Sequence, residues 1–418
     1  MSARGLTRVL VHHPGSNHLA YNLVAALQRE GFDCRFETGF FYRERAPSAR
    51  LARSLPGALG SKITRELRRR HHPGVDVARL GLRPLSEMIY VAANRLGLSP
   101  ERLARLIAWR NDRFDSAVAR QVRRQKPDIV IGHDGSAEFA QRAAKSIGAL
   151  AVLNQVVGHV ETALELFREE ASLAPEFAEA APTLPAAVIE RHRKEIAEAD
   201  RILVPSGYVR DTLVARGADP ARLAILPYGV DIERFRPAAA KPAGEGLRLL
   251  FVGHIGQRKG IRYLLEAMRR LAGRGVTLTL VGRITCDPAA LAPWREHFTH
   301  VPHVPFHEVH ALFQNADAFV YPSLHEGSAF VTYEALASGL PVITTLNAGS
   351  VVRDGAEGLI VPIRDVDALV AAIERLYLDR NLRTGMAQAA RRRAEDFTWG
   401  HYAARLAGLL DSWRPPRG

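Results

Sequence analysis

The chain has 418 residues, of which 47% are hydrophobic and 24% are charged, and its formal net charge is +13 at pH 7. The length suffices for two ordinary domains, and the composition is that of a soluble globular protein. No apolar run is long enough for a membrane span, and the first nine residues lack the apolar core of a signal peptide. Two cysteines, Cys34 and Cys286, cannot build a disulfide framework, so we expect a cytoplasmic protein.

Strand and helix patterns alternate along the chain, which favours parallel sheets built from βαβ units. In the first half, strands are predicted over residues 8–12, 127–131 and 149–153. Helical segments are predicted over residues 18–30, 46–125 and 161–200. The first strand leads into a loop over residues 14–17.

Almost all of the excess positive charge of the first 150 residues lies between Arg43 and Lys126. Residues 1–150 contain 26 Lys and Arg against 13 Asp and Glu, a difference of +13 that equals the net charge of the chain. A basic helix is predicted over residues 62–72. The excess charge fits either a solvated Arg-rich surface or attraction to an anionic membrane surface or lipid-phosphate acceptor, with the protein peripheral on the inner membrane face. Nucleic acid is not the expected partner, because the patch has no interleaved aromatic residues and no known recognition module.

A small-residue stretch over residues 238–246 separates this half from a second series of strands. These are predicted over residues 247–252, 276–281, 318–321, 341–345 and 358–361. The pattern predicts two Rossmann-like halves joined near residue 230. Open α/β sheets bind ligands at the carboxyl ends of their strands, so a cleft between facing halves would hold the site.

The most informative motif is YPSLHEGSAFVTYEALASGLP at residues 321–341. A helix is predicted to begin near Ser328, with Glu326 in the loop before it and Glu334 about two turns inside it. At the start of that helix, free backbone amides could bind an anionic or oxygen-rich ligand: those of Gly327, Ser328, Ala329 and Phe330. Two carboxylates that bracket such an end can accept hydrogen bonds from vicinal hydroxyls of a sugar or ribose.

A second candidate is the strand, turn and helix start FVGHIGQRKG at residues 251–260. Gly253 would let a phosphate approach the backbone, and Arg258 and Lys259 could neutralise a diphosphate. Taken alone, the segment could equally be a plain βα turn with surface cations. The spacing of its glycines does not form the dinucleotide-binding fingerprint G-x-G-x-x-G.

Two further patterns look like metal sites but have better structural explanations. Asp365 and Asp367 open a predicted helix, where carboxylates cap the end and oppose its dipole. A histidine-rich stretch lacks cysteine and falls one residue short of the H-E-x-x-H spacing. We therefore predict surface and loop histidines, not metal ligands, at His297, His300, His303, His307 and His310.

The spacing of Glu326 and Glu334, with seven residues between them, resembles the signature of the retaining glycosyltransferases of family 4, which have the GT-B fold. The likeness runs from about Ile202 to Trp399 through the sequences ILVPS, PYGVD, LFVG and FTW. The resemblance implies an α/β protein of two facing Rossmann-like domains with parallel sheets and an interdomain cleft. Residues 1–228 would face the acceptor and residues 229–399 the nucleotide sugar, with a final helix over 400–418 crossing back onto the first domain.

The resemblance also implies a function, namely transfer of a sugar from a nucleotide-diphosphate sugar to a glycan, lipid-linked or small-molecule acceptor. Retention of configuration, and no cofactor or metal, are expected. Arg258, Lys259 and Glu326 would be catalytic, and Glu334 would hold the ribose. The donor-binding set would add Gly15, Gly253, His254, Gly327, Ser328, Ala329 and Phe330. His254 stands where family members often have an Arg, and we expect Arg258 to compensate.

Candidates for the sugar or acceptor side follow strand ends of the first domain: His133, Asp134, Gln155 and His159. Family members place a His near the sugar after the strand that matches residues 149–153, where this chain has Gln155, with His159 as a substitute. Gly15 lies in the loop that closes over the donor in the family, but Ser16 replaces its second glycine. A phosphorylase or sugar-nucleotide epimerase on the same fold is the alternative function, and a basic nucleic-acid-binding protein is a remote one.

Overall fold

The structure is a computed structural model that describes residues 3–15, 17–43, 67, 70–178, 184–239, 246–305 and 307–414. Ser16 and most of the basic helix predicted over residues 62–72 lie outside these ranges. Within them, no helix is both long and apolar enough to cross a membrane.

The first sheet is parallel throughout. Its described strands are β1 Arg8–His13, β2 Asp33–Thr38, β3 Leu80–Leu82, β4 Ile129–His133, β5 Leu150–Asn154, β6 Arg201–Val204 and β7 Leu223–Ile225, in the order β3-β2-β1-β4-β5-β6-β7. The accompanying helices are α1 His18–Arg29, α2 Pro84–Arg95, α3 Pro100–Gln125, α4 Glu138–Ser146, α5 Val160–Leu173, α6 Ala186–Glu198 and α7 Gly207–Val214. Central strands such as β4 are buried along their whole length, which explains their continuous apolar sequence.

The second sheet is also parallel. Its described strands are β8 Leu247–Val252, β9 Val276–Val281, β10 Thr299–Val301, β11 Ala318–Tyr321, β12 Val342–Thr344 and β13 Gly358–Ile360, in the order β10-β9-β8-β11-β12-β13. The helices that follow are α8 Ile261–Arg270, α9 Val309–Gln314, α10 Phe330–Ala337, α11 Val366–Leu378, α12 Arg380–Glu395 and α13 Trp399–Trp413. Two Rossmann-like α/β domains, as predicted, account for the described chain.

Every predicted strand is present, within about two residues at each end. The structure adds β2, β3, β6, β7 and β10 to the predicted set. The three-residue strand β3 lies inside the segment predicted to be mostly helical, and it exists because it pairs with β2, from Phe36–Leu80 to Thr38–Leu82. Such a short strand depends on its long-range partner and leaves little local signal.

The last helix returns to the first domain. α13 packs against α1, and Arg4 near the chain start pairs with Asp411 over 2.8 Å. Where the chain crosses between domains, the Tyr228 ring stacks on Phe330 with centroids 4.6 Å apart, and Phe330 also contacts Trp399. The start of α10 is therefore packed against both crossings of the chain.

Candidate active site

The candidate site lies where both sheets reverse the direction of their strand order. This point falls between β1 and β4 in the first sheet and between β8 and β11 in the second. Open α/β sheets bind ligands in the crevice beyond the carboxyl ends of the strands at such a point. Loops that follow these four strands contain most of the predicted residues: Gly15 after β1, His133 and Asp134 at β4, Gly253 to Lys259 after β8, and Glu326 to Phe330 after β11.

Glu326 sits in the loop between β11 and α10, which is fixed by hydrogen bonds to the segment after β12. The Glu326 amide donates to the Asn347 carbonyl over 3.0 Å, and the Asn347 side chain donates to the Leu324 carbonyl over 2.8 Å. The Thr345 hydroxyl donates to the Ser323 carbonyl over 2.5 Å. Because the Glu326 side chain is 14% exposed, the protein fixes its position while leaving it accessible to a ligand.

Arg258 and Lys259 both pair with the Glu326 carboxylate. They belong to a short 3₁₀ turn, Gln257–Lys259, after β8. The Arg258 guanidinium donates to Glu326 Oε1 over 2.7 Å, and the Lys259 ammonium pairs with the same oxygen. The Lys259 ammonium also lies 5.3 Å from the centroid of the Tyr321 ring. Two cations on one carboxylate leave positive charge in excess, which favours an anionic ligand.

Gly260 allows the turn after β8 to pack against the loop after β11. Its φ of +70° lies in the left-handed region, and a Cβ there would overlap the carbonyl oxygen of Pro322. A backbone hydrogen bond from Leu324 N to Arg258 O, 2.9 Å long, joins the same two segments. Any other residue would meet both the strain and the overlap, so glycine keeps Arg258 beside Glu326.

The Glu326 loop is also where the second domain touches the first. Gly327 packs so closely that a Cβ would overlap the carbonyl oxygen of Val156, which follows β5. The Gly327 carbonyl accepts the Ser206 hydroxyl, at the start of α7, over 2.6 Å. The cleft is therefore closed at this point.

His325 makes a second contact between the domains. Its ring lies against Phe167 and Tyr208 of the first domain, and its Nδ1 is 2.7 Å from the Tyr208 hydroxyl. Burial, together with the nearby positive charges of Arg258 and Lys259, lowers the pKa of His325 to about 4. The ring is thus neutral at physiological pH, and its Nδ1 can accept a hydrogen bond from the Tyr208 hydroxyl.

A buried carboxylate of the first domain, Glu170 on α5, binds three side chains of the second. Glu170 is 2% exposed. The Tyr263 hydroxyl donates to it over 3.0 Å, the Arg364 guanidinium over 2.5 Å, and the Gln257 amide group also donates to it. Since Gln257 precedes Arg258, this contact ties the cationic turn directly to the first domain.

Glu334 lies on the second turn of α10 with its carboxylate largely desolvated. Burial raises the pKa of Glu334 to about 7, and the positive charge of Arg234 partly offsets this rise. Across the described ranges, no protein group donates a hydrogen bond to this carboxylate. Its unfilled acceptor positions suit hydroxyl donors from a ligand.

The prediction of free backbone amides before α10 is wrong for one of them. α10 begins at Phe330, within two residues of the predicted start near Ser328, and the residues before it bond to the segment after β12. The Ala329 amide donates to the Ala348 carbonyl over 3.0 Å, so it is not free. The Ser328 hydroxyl donates to the Gly349 carbonyl over 2.7 Å.

His133 and Asp134 reach the cleft edge of the first sheet. His133 is fully buried, with its Nδ1 3.0 Å from the His12 carbonyl, and burial lowers its pKa to about 4. Burial, and then the nearby Glu195 charge, raise the pKa of Asp134 to about 7. Asp134 accepts the Val156 amide over 3.5 Å, so it lies beside the backbone that contacts Gly327.

Gln155 and His159 are occupied by local hydrogen bonds. The Gln155 side chain donates to the Val157 carbonyl over 2.9 Å. His159 caps α5, since its Nδ1 accepts the Glu161 amide over 3.3 Å. A sugar-side role for either residue stays a prediction.

Gly15 lies against a buried ion-pair cluster. The Glu87 carboxylate on α2 is shared by Arg70 and Arg110, each at 3.0 Å. A Cβ on Gly15 would lie 3.5 Å from the Arg110 guanidinium and 3.6 Å from Glu87. At the other edge of the cleft, His254 is exposed.

The structure shows what each of the two metal-like patterns does. Asp365 caps α11, accepting the Ala368 amide over 2.8 Å, and Asp367 pairs with Arg270 over 2.5 Å, so the capping interpretation is confirmed. Of the histidines, His300 lies in β10 and His310 in α9. Among the described residues, no group of three His, Cys, Asp or Glu is placed to hold a metal. Metal independence itself stays a prediction.

The interdomain contacts of Glu170, Ser206 and Tyr208 were missed by sequence reasoning. Ser206 belongs to the ILVPS sequence that carries the family resemblance, so a signal for it was available. Glu170 lies on an acidic helical stretch in which nothing local distinguishes it from its neighbours.

Two facing parallel sheets with a charged site at both switch points define the GT-B class of α/β proteins. The model of the glycosyl transferase 4-like domain matches residues 15–229, just over half of the chain, and the model of glycosyl transferases group 1 matches residues 246–379. The chain therefore belongs to the glycosyltransferases of family 4.

Similar proteins include glycogen synthase of Mycobacterium tuberculosis, 31% identical over 223 residues that cover 51% of this chain and 54% of the relative. D-inositol 3-phosphate glycosyltransferase of Nocardia farcinica is 32% identical over 242 residues, which cover 52% and 53%. The chain thus spans about half the length of these relatives. Anabaena HepE, solved in complex with UDP and glucose, shares the fold with a TM-score of 0.61 and 12% identity, over 97% of this chain and all of that one.

The geometry at Gly260 gives a test with a matched control. Gly273 has a similar φ of +75° but no atom within 4 Å of a built Cβ. Gly273→Ala should lower the free energy of unfolding by about 1–2 kcal/mol through backbone strain alone. Gly260→Ala adds the overlap with Pro322, for a total loss of roughly 2–5 kcal/mol. Urea unfolding of both variants measures the difference, and equal losses would contradict the packing role of Gly260.

Proposed function

We propose that the chain is an enzyme that transfers a sugar from a nucleotide-diphosphate sugar to an acceptor hydroxyl. The observation that carries the proposal is the joint contact of Arg258 and Lys259 with Glu326 at the switch point of the second sheet. A diphosphate needs fixed cations, and a sugar needs fixed hydrogen-bond acceptors. Family membership supports the proposal, as does the fold shared with HepE, whose structure contains UDP and glucose.

The charges at the site suggest how the donor binds. The diphosphate would replace Glu326 as the partner of Arg258 and Lys259, since it brings more negative charge to the same two cations. This exchange would release the Glu326 carboxylate to accept hydrogen bonds from sugar hydroxyls. The two loops already hold these cations in place, so they stabilise the leaving diphosphate with little reorganisation.

In the proposed step, the bond between the sugar C1 and the phosphate oxygen breaks while the acceptor oxygen forms its bond to C1. The acceptor proton passes to the departing phosphate. Attack on the same face gives retention of configuration, the course that the family resemblance implies. The acceptor would approach from the first domain, past Gly15 and Asp134.

Replacing each of the two carboxylates of the motif should have a different effect on binding and on turnover. Glu334→Ala should weaken binding of free UDP about ten- to a hundredfold, because a charge-assisted hydrogen bond contributes roughly 1.5–3 kcal/mol. Glu326→Ala should mainly lower turnover with the sugar nucleotide. Calorimetry measures UDP binding and assays measure turnover for both variants. Equal, negligible effects would contradict the roles assigned to Glu334 and Glu326.

The pH dependence of UDP binding provides a second test of the role of Glu334. Since the pKa of Glu334 is raised to about 7, its carboxylate becomes ionised as the pH rises through that value. An ionised carboxylate is the stronger acceptor for ribose hydroxyls, so UDP affinity should increase between about pH 6 and pH 8. Glu334→Gln cannot ionise, so its profile should keep only the pH dependence that the terminal phosphate of UDP contributes and should be less steep than that of the wild type; an unchanged slope would assign the titration to another group.

We propose that the reaction needs no metal, because Arg258 and Lys259 supply the positive charge at the diphosphate. Activity should therefore survive EDTA, as measured by release of nucleoside diphosphate. Complete loss on chelation, followed by recovery with Mg²⁺ or Mn²⁺, would overturn this proposal and bring Asp365 and Asp367 back into consideration.

We also propose that the basic segment between residues 43 and 126 attaches the protein to an anionic membrane surface. Its described part supports this over a merely solvated surface, because α2 is inverted. The helix buries the polar residues Ser86 and Glu87, whereas Leu85, Met88 and Ile89 are 66%, 61% and 42% exposed. Helices on globular proteins normally bury their apolar side, and an apolar side left in solvent beside positive charge is typical of interfacial helices.

Attachment can be tested with sedimented vesicles. Wild-type protein should bind vesicles containing phosphatidylglycerol, should not bind phosphatidylcholine alone, and should be released by salt. Replacing Leu85, Met88 and Ile89 with Ser should lower binding by at least about tenfold, since burying one such side chain is worth about 1.5–3 kcal/mol. Leu378→Ser, at a leucine of α11 that is 77% exposed, is the matched control.

The vesicle test replaces apolar residues and leaves the nearby arginines unchanged. Arg68 and Arg69 lie outside the described residues, and Arg70 pairs with the buried Glu87 beside Gly15. Replacing Arg70 would disturb the cleft as well as the surface, so it is left unchanged. If the wild-type protein ignores anionic vesicles even at low salt, the surface is only solvated.

A further inference from the structure

A cavity of about 660 Å³ lies between the start of α2 and the middle of α3, and the proposed transfer reaction does not use it. Its wall is partly apolar and its rim carries cations. The residues that matter here are Leu82, Leu85 and Trp109 in the wall, and Arg83, Arg113 and Arg120 at the rim. The cavity opens beside the exposed apolar side of α2, because Leu85 belongs to both.

Arg113 and Arg120 supply positive charge that no acidic side chain of the described residues balances. They lie two turns apart on α3, and both are exposed. Arg113 lies over the Trp109 ring, 5.8 Å from its centroid. In the described part of the chain, no carboxylate comes within ion-pair distance of either guanidinium.

The other charges of the cavity are already paired. The Arg83 guanidinium donates to the buried Glu37 over 3.2 Å. Asp112, the acidic residue of the lining, pairs with Arg191 of α6. Because Arg191 also pairs with the buried Asp115 and Glu195, it only partly offsets the charge of Asp112. Arg113 and Arg120 are the lining cations that would meet an anionic ligand.

The first turn of α2 adds neutral hydrogen-bond donors. Within the described ranges no side chain caps this twelve-residue helix, and Pro84 at its first position has no amide hydrogen, so the Leu85 and Ser86 amides lack intrahelical partners. Ser86 is 8% exposed and lines the cavity. Its hydroxyl makes no hydrogen bond to any residue that the structure describes. A hydroxyl that lines a cavity beside the first amides of a helix is suited to a phosphate group.

We propose that this cavity binds the phosphate headgroup of an anionic lipid. Arg113, Arg120, Ser86 and the first amides of α2 would hold the phosphate, and the apolar wall would receive the start of the lipid chains. A lipid fits better than a free phosphate because the wall residues Leu82, Leu85 and Trp109 are 38%, 66% and 38% exposed and offer apolar surface to lipid chains. The inference rests on the proposed membrane attachment. It names the site through which the attached protein would prefer anionic headgroups.

The position of α2 links this site to the cleft. Ser86 faces the cavity, and the next residue, Glu87, contacts Gly15 at the edge of the first sheet. A bilayer bound here would therefore lie on the acceptor side of the cleft.

A paired substitution separates a specific site from general attraction. Arg113→Gln with Arg120→Gln removes two charges at the cavity. Arg123→Gln with Arg124→Gln removes two exposed charges from the same helix outside it. The cavity pair should lose at least about tenfold more binding to phosphatidylglycerol vesicles than the control pair, because only the cavity pair loses direct phosphate hydrogen bonds. Equal losses would overturn the inference while leaving membrane attachment intact.

A soluble lipid tests the cavity without a bilayer. Dihexanoyl phosphatidylglycerol below its micelle concentration should raise the unfolding temperature of the wild-type protein, because it binds the native state. Ser86→Ala and the cavity pair should lose this shift while keeping their own unfolding temperatures and their affinity for UDP. If inorganic phosphate at the same concentration stabilises the protein as much, the ligand is free phosphate and the lipid assignment is wrong. Wild-type protein that binds vesicles but shows no shift with the soluble lipid would also overturn it.

Discussion

The contact of Arg258 and Lys259 with one oxygen of Glu326 is the interaction around which the second domain is organised. It requires the segments after β8 and β11 to meet, which a parallel sheet achieves only where these strands are neighbours and its order reverses. Gly260 then lets the two segments approach to backbone contact. The excess positive charge that results lies at the bottom of the cleft and is available to an anion.

The first domain holds the same turn from the other side. Glu170 binds Gln257, the residue before Arg258, and Gly327 packs directly on Val156. Opening the cleft to admit a large donor would have to break these contacts, so we infer that domain opening and the position of the cations are mechanically coupled. This is the kind of closure that completes a site and excludes water in enzymes whose substrates bind between domains.

The helix α2 shows how one element can serve two surfaces. Its buried side carries Glu87, whose ion pairs with Arg70 and Arg110 support the Gly15 loop. Its other side leaves leucine, methionine and isoleucine in solvent, next to a cation-rimmed cavity. A helix whose polar side faces inward costs stability unless the buried charges are paired, as they are here. The cleft and the proposed membrane surface are therefore two sides of the same helix.

The sequence by itself determined the features that depend on neighbouring residues. Alternation of apolar runs and helical patterns predicted the parallel strands of both domains, and the spacing of Glu326 and Glu334 with the Arg258 turn indicated the candidate site. Tertiary structure decided what depends on contacts between distant residues. β3 forms only because β2 offers a partner, and the Ala329 amide is not free because it donates to the Ala348 carbonyl. Glu170 finds its partners across the cleft, and α2 turns its polar side inward because two arginines meet Glu87 there. These contacts leave no local pattern in the sequence, since the free energy that stabilises them comes from groups that are adjacent only in the folded chain.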